Sequence, residues 1–209
     1  MKIGILGGGN VGGTLGIAWA QRGHDIFFGV RDPGAADMQD VLNRCGGRAK
    51  AGSAPEAAAF GEVVVNALPW PATQSTLSAL DLKNKILLDA TNPILPGLAG
   101  IEVGTTTSGG ELVAQWAKGA RVVKIFNTTG FNNMADPIYG GQPVTMFYCG
   151  DNEEAKKVAR GLAEAIGFAP VDAGPLSNAR LLEPVAMLWV WLAVKGGLGR
   201  EFAFQVAKR

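Results

Sequence analysis

Three glycines spaced Gly7-x-Gly9-x-x-Gly12 open the chain, and this spacing suits one kind of chemistry, the binding of a dinucleotide pyrophosphate. Gly7 allows a tight turn, Gly9 lets backbone N–H groups approach the phosphates, and Gly12 lets a helix pack closely on a strand. With 30 glycines in 209 residues the spacing also arises by chance, so its context decides the meaning. An apolar run over residues 2–6 precedes the motif, and residues 11–22 place Leu15, Ala18 and Trp19 at helical spacing behind it. A helix N-terminus therefore aims its free N–H groups and positive dipole end at the loop.

The type of dinucleotide is read at the end of the second strand, where an acidic residue usually holds the ribose 2′-hydroxyl of NAD. Here Gly29-Val-Arg31 occupies that place. A guanidinium pairs with a 2′-phosphate and stacks on adenine, so Arg31 favours NADP. The next residue leaves two alternatives open: Asp32 turns toward a 2′-hydroxyl, or it neutralises Arg31.

Candidates for acid–base chemistry are scarce. The single histidine, His24, falls in the turn between the first helix and second strand, away from a ligand crevice. Lys124 lies inside a strand and Lys195 near a helix end, and neither Tyr139 nor Tyr148 has a partnering lysine at the required spacing. Hydride exchange between a nicotinamide and a flavin-like ring needs no such acid, because both rings carry their own reactivity and the protein aligns them. No catalytic side chain and no metal site is therefore expected. Pro69, Trp70, Asn92, Pro93, Asn127 and Thr128, all just beyond strand ends, suit ring stacking and amide hydrogen bonding.

Strand and helix signals alternate along the chain. Strands are expected over Lys2–Leu6, Asp25–Gly29 and residues 48–51, 62–67, 85–89, 121–126, 144–149 and 168–172, with helices between them. This predicts an α/β, Rossmann-type, doubly wound and mostly parallel sheet with additional C-terminal strands and a short C-terminal helical segment. Ser53-Ala-Pro-Glu56 and Ser108-Gly-Gly-Glu111 read as capping boxes, and Asp151 with Glu154 as a third helix start. Residues 1–209 are expected to form a single NADP-binding domain, with 174–209 as its helical extension, a helix over about 179–195 and a glycine break at 196–199.

Composition excludes several classes. A net charge of +1 with no basic stripe argues against a nucleic-acid binder. The most apolar stretch, residues 185–194, is far shorter than the ~20 residues of a membrane span. Met1 leads straight into the first strand, and Cys45 and Cys149 lack metal-ligand spacing, so reduced thiols and a cytoplasmic location are expected. Leu188, Trp189, Trp191 and Leu192 either line the core or form a homodimer surface.

The chain resembles the NADPH-dependent deazaflavin reductases, which pass hydride between NADP(H) and coenzyme F420. The resemblance runs through Gly4-Ile-Leu-Gly-Gly-Gly-Asn-Val-Gly12, Gly29-Val-Arg31, Leu68-Pro-Trp70, Cys149-Gly-Asp151 and, most specifically, Asp172-Ala-Gly-Pro-Leu-Ser-Asn-Ala-Arg180. Val122-Val-Lys-Ile-Phe-Asn127 is similar to the NADPH domains of the six-transmembrane metalloreductases. Val30 departs from the deazaflavin pattern, which has a serine there. The resemblance implies that Gly7, Gly9, Asn10, Val11 and Arg31 hold NADP, and that Leu68, Pro69 and Trp70 flank the nicotinamide. It also implies that Asn127, Thr128, Leu176 and Asn178 lie near the acceptor ring. The expected activity is hydride transfer from NADPH to a deazaflavin or flavin. The alternatives are an NADP(H)-binding sensor or scaffold without turnover, or reduction of a small imine or carbonyl.

Overall fold

The computed structural model describes residues 1–207 and 209. Strand and helix alternate through the first two thirds: β1 (Lys2–Leu6), α1 (Asn10–Ala20), β2 (Asp25–Gly29), α2 (Ala36–Arg44), β3 (Ala49–Gly52), α3 (Ala54–Phe60), β4 (Val63–Asn66), α4 (Trp70–Ser78), β5 (Ile86–Asp89), α5 (Gly109–Trp116) and β6 (Arg121–Lys124). Then come α6 (Phe131–Ala135), a small hairpin of β7 (Ile138–Tyr139) and β8 (Gln142–Pro143), β9 (Thr145–Gly150), α7 (Glu153–Ala165), β10 (Ala169–Asp172) and α8 (Ala179–Val194).

The main sheet has eight strands in the order β10-β9-β6-β5-β4-β1-β2-β3. From β3 to β6 it is parallel and reverses direction of growth between β1 and β4, the switch point at which α/β sheets bind ligands. Both faces are covered. In β4, Val63 and Val65 pack with Ile5, Leu15, Phe28 and Leu88 on one face, while Val64 packs with Leu6, Leu77 and Leu87 on the other. That explains its uninterrupted apolar sequence.

The C-terminal pair runs the other way. β9 is antiparallel to β6, with Val123 opposite Gly150 and Lys124 opposite Cys149, and β10 follows β9 in parallel. The cause is the connection. A parallel strand needs a crossover that carries the chain back along the sheet. The five residues of α6 rise only about 7.5 Å, so the next strand starts at the end where β6 stopped. The sequence revealed neither this reversal nor the hairpin.

The expected helix starts need two corrections. Ser53 and Glu56 form a complete capping box. At Ser108 the hydroxyl accepts from Glu111 N–H, but Glu111 returns to the Ser108 hydroxyl rather than to its backbone. The cap of α7 is Asn152, which accepts from Ala155 N–H at 2.9 Å, leaving Asp151 free to accept from Leu176 N–H. Beyond α8, the last segment lies over α6, with Asn133 donating to the Phe202 carbonyl at 2.6 Å and Trp189 stacked on Phe202 at 5.2 Å. Trp189 is thus core, whereas Leu181, Leu188, Trp191 and Val194 are exposed.

Candidate functional site

A cleft of about 930 Å³ opens at the carboxyl ends of β1, β2 and β4. Gly7, Gly9, Asn10, Val11, Arg31, Leu68 and Pro69 line it, all seven expected from sequence, together with Gly8, Val30, Asp32, Ala35, Asp37, Met38, Ser53 and Thr76. Each motif glycine has a distinct reason to be glycine. Gly7 holds φ +99°, and a Cβ there would meet Ala67 O at 2.7 Å. At Gly12 a Cβ would stand 2.0 Å from Gly7 O, so it packs α1 on the turn and lies beneath the cleft. At Gly9 a Cβ would meet nothing within 4 Å, which leaves the open approach a phosphate requires.

Gly9 is the N-cap of α1 and offers no side-chain hydrogen bond to it. The first N–H groups of the helix therefore lack intrahelical partners and face the loop with the positive end of the dipole, an arrangement that fits an anion. Arg31, on the far lip, is exposed and makes no ion pair among the described residues. Asp32 makes no ion pair with it among the described residues, and Asp32 Oδ1 accepts from Gly34 N–H at 2.9 Å. These residues fit the pyrophosphate and 2′-phosphate of NADP.

The exits of β5 and β6 are built differently. Phe126 takes φ +62°, a strained value for a residue with a side chain, and turns the chain sharply. Asn127 then clasps Asn92: Asn92 Nδ2 donates to the Asn127 carbonyl at 2.9 Å and Asn127 Nδ2 donates to Asn92 Oδ1 at 3.1 Å. Asn127 Oδ1 is buried without a partner among the described residues. Thr128 is buried beside it, and none of the three lines the cleft.

Below this clasp lies a buried ionic cluster that sequence reading passed over. Lys124 Nζ meets Asp89 Oδ2 at 2.8 Å, Glu183 Oε1 at 2.9 Å and the Thr91 carbonyl at 2.5 Å. Glu183 in turn accepts from Gly109 and Gly110 N–H, both at 2.9 Å, and so caps α5 from α8. Asp89 holds Asn66 and Thr91. Burial pulls the Lys124 pKa down, but the carboxylates of Asp89 and Glu183 outweigh it and leave it above the ordinary lysine range. The only sign of this in the sequence was a lysine inside the apolar run 122–126.

Three expected positions fall elsewhere. Trp70 turns from the cleft, donating from Nε1 to Glu102 at 2.8 Å with its ring 5.3 Å from that of Trp116. Leu176 packs among Leu87, Val113 and Val122 and borders a separate cavity with Arg121 and Asp151 at the amino end of β6. Asn178 donates to the Ala173 carbonyl. The reversed β9 and β10 bring the 174–178 segment to the opposite end of the sheet, so it cannot wall the crevice. Instead α8 leads back, with Trp189 against Gly130 and Lys195 donating to the Gly97 carbonyl.

Cys45 and Cys149 are free and buried, and burial pushes their thiols up to about 11 and about 12. Among the described residues there is no cluster of side chains suited to a metal ion, and no helix long and apolar enough to cross a membrane.

Comparison with known proteins gives four findings. The family described as NADP oxidoreductase, coenzyme F420-dependent, matches residues 2–93. The F420-dependent NADP reductase of Methanothermobacter marburgensis is 31% identical over 210 residues, covering 93% of each chain. The metalloreductase STEAP3 of Rattus norvegicus is 31% identical over 91% of this chain and 38% of its own length. Among solved structures, one from Arthrobacter sp. FB24 described as an F420-dependent NADP reductase superposes with a TM-score of 0.88 at 29% identity, covering 100% of both chains.

Proposed function

The chain belongs to the family of F420-dependent NADP reductases, and from that premise we propose how its cleft serves hydride transfer between NADP(H) and a deazaflavin or flavin. Family membership makes it an NADP-dependent oxidoreductase. The observation that carries the site reading is the meeting, in one cleft, of an uncapped α1 N-terminus with an unpaired Arg31. Backbone groups at Gly7, Gly9, Asn10 and Val11 receive the pyrophosphate, and Arg31 takes the 2′-phosphate. Leu68 and Pro69 flank the nicotinamide end, and Trp70 fixes their corner from behind through Glu102 and Trp116.

The two cofactors supply the redox chemistry, and the chain's contribution is to hold two flat rings face to face. Asn92, Asn127 and Thr128 give the acceptor side a rigid edge, which the Lys124 cluster and α8 support from below. Stopped-flow absorbance with NADPH and a panel of deazaflavin, FMN, FAD and quinone tests this. NADPH consumption is expected with the deazaflavin or a flavin, and no oxidation with any of the four would refute it.

Two further features belong to the same reading. Leu181, Leu188, Trp191 and Val194 form an apolar stripe along α8, between 46% and 64% exposed, which suits a homodimer. Sedimentation of Trp191→Glu beside the unmodified protein would separate a dimer from a monomer. The two unpaired thiols fit a reducing compartment such as the cytoplasm.

A further inference from the structure

Arg31 is not alone at its end of the cleft. Asp32, from the same turn, and Asp37, from the first turn of α2, line the same surface, and Val30 and Ala35 between them offer no side-chain hydrogen bond. One guanidinium and two carboxylates therefore share the cleft lining. Neither carboxylate is neutralised by an ion pair among the described residues. Asp32 Oδ1 accepts from Gly34 N–H and Asp37 Oδ1 from Met38 N–H, both at 2.9 Å, so each has one oxygen engaged locally. Ser53, which also lines the cleft, gives its proton to Glu56 Oε2 at 2.6 Å and has none left for a phosphate.

These charges act oppositely on the two nucleotides. A 2′-phosphate carries nearly two negative charges, and within a Debye length of about 8–10 Å a carboxylate repels it. A 2′-hydroxyl carries none, and a carboxylate accepts its proton. We propose that the pocket has dual cofactor specificity, admitting NADH as well as NADPH, and that Asp37 is the residue that sets the ratio. The proposal rests on reading the cleft as the dinucleotide site.

A purely structural role for Asp37 is the alternative, since a carboxylate in the first turn of a helix favours that helix. Such a role would move both affinities together, whereas a specificity role moves their ratio. Fluorescence titration of the unmodified protein and of Asp37→Asn and Asp37→Ala with NADPH and NADH, at one ionic strength, separates the two.

The expected preference of the unmodified protein for NADPH is below about thirtyfold. Both variants should raise that preference by about threefold or more, chiefly through tighter NADPH binding. A preference above about thirtyfold in the unmodified protein, or a smaller change of ratio in the variants, overturns the proposal. If neither nucleotide binds at all, the reading of the cleft itself falls, and the proposal with it.

Discussion

The two sides of the crevice treat their polar groups in opposite ways. At the exits of β1 and β2, the first helix N–H groups have no side-chain cap and the Arg31 guanidinium has no ion-pair partner among the described residues. At the exits of β5 and β6, amides close on one another and Lys124 is enclosed by two carboxylates and a carbonyl. A surface that awaits a charged ligand keeps its donors free because the ligand will satisfy them. A wall that only has to be rigid satisfies its own, since an unpaired buried charge is costly.

Substitutions on the two sides should therefore fail in different ways. The largest effect belongs to the closed side. Lys124→Met leaves Asp89 and Glu183 buried without their cation and should lower stability by about 3–5 kcal/mol, read from urea denaturation. A loss well under 1 kcal/mol would mean that the cluster does not hold α8 in place. The same contrast has a pH signature. Because the Lys124 pKa is raised in the folded protein, its contribution is complete below the unfolded value of about 10.4 and disappears as pH climbs through the folded one. Its stabilisation should hold through neutral pH and fail only in alkali.

On the open side, stability and binding should separate. Gly9→Val puts a side chain where a Cβ meets no protein atom, so the melting curve should stay in place. NADPH affinity should nevertheless drop by about a hundredfold, on the order of 3 kcal/mol, by calorimetry. A destabilised fold with unchanged affinity would place the phosphates elsewhere. The smallest effect is the most selective. Arg31→Ala should cost NADPH about 1–3 kcal/mol and leave NADH almost untouched. Equal losses for both nucleotides would mean that Arg31 does not read the phosphate.

The same division explains what the sequence disclosed. The open side is made of local signals, glycines within six positions and an arginine at the end of the next strand, so Gly7, Gly9 and Arg31 could be placed in one cleft beforehand, and the family resemblance added Asn10 and Val11. Leu68 and Pro69 followed from the rule that strand exits rim the crevice. The closed side joins residues far apart in the chain, such as Gly110 and Glu183 across 73 positions, and no short motif marks it. The 174–178 segment was misplaced for a related reason. Its position depends on the direction of β9, which is set by the shortness of α6 rather than by any residue in the segment. Trp70 was misplaced because an aromatic at a strand exit stacks equally well on a ligand or on another indole, and Trp116, which decides the matter, lies on a helix 46 positions later.

Hydride transfer between two bound rings is the central claim, and isotope transfer tests it most directly. NADPH deuterated on the transferring face of its nicotinamide would be mixed with the protein and deazaflavin, or flavin, without oxygen, and the reduced acceptor examined at once by mass spectrometry. Direct transfer predicts one deuterium in the reduced ring, matched to the NADPH consumed. An acceptor reduced with solvent hydrogen alone, or not reduced at all, would contradict it.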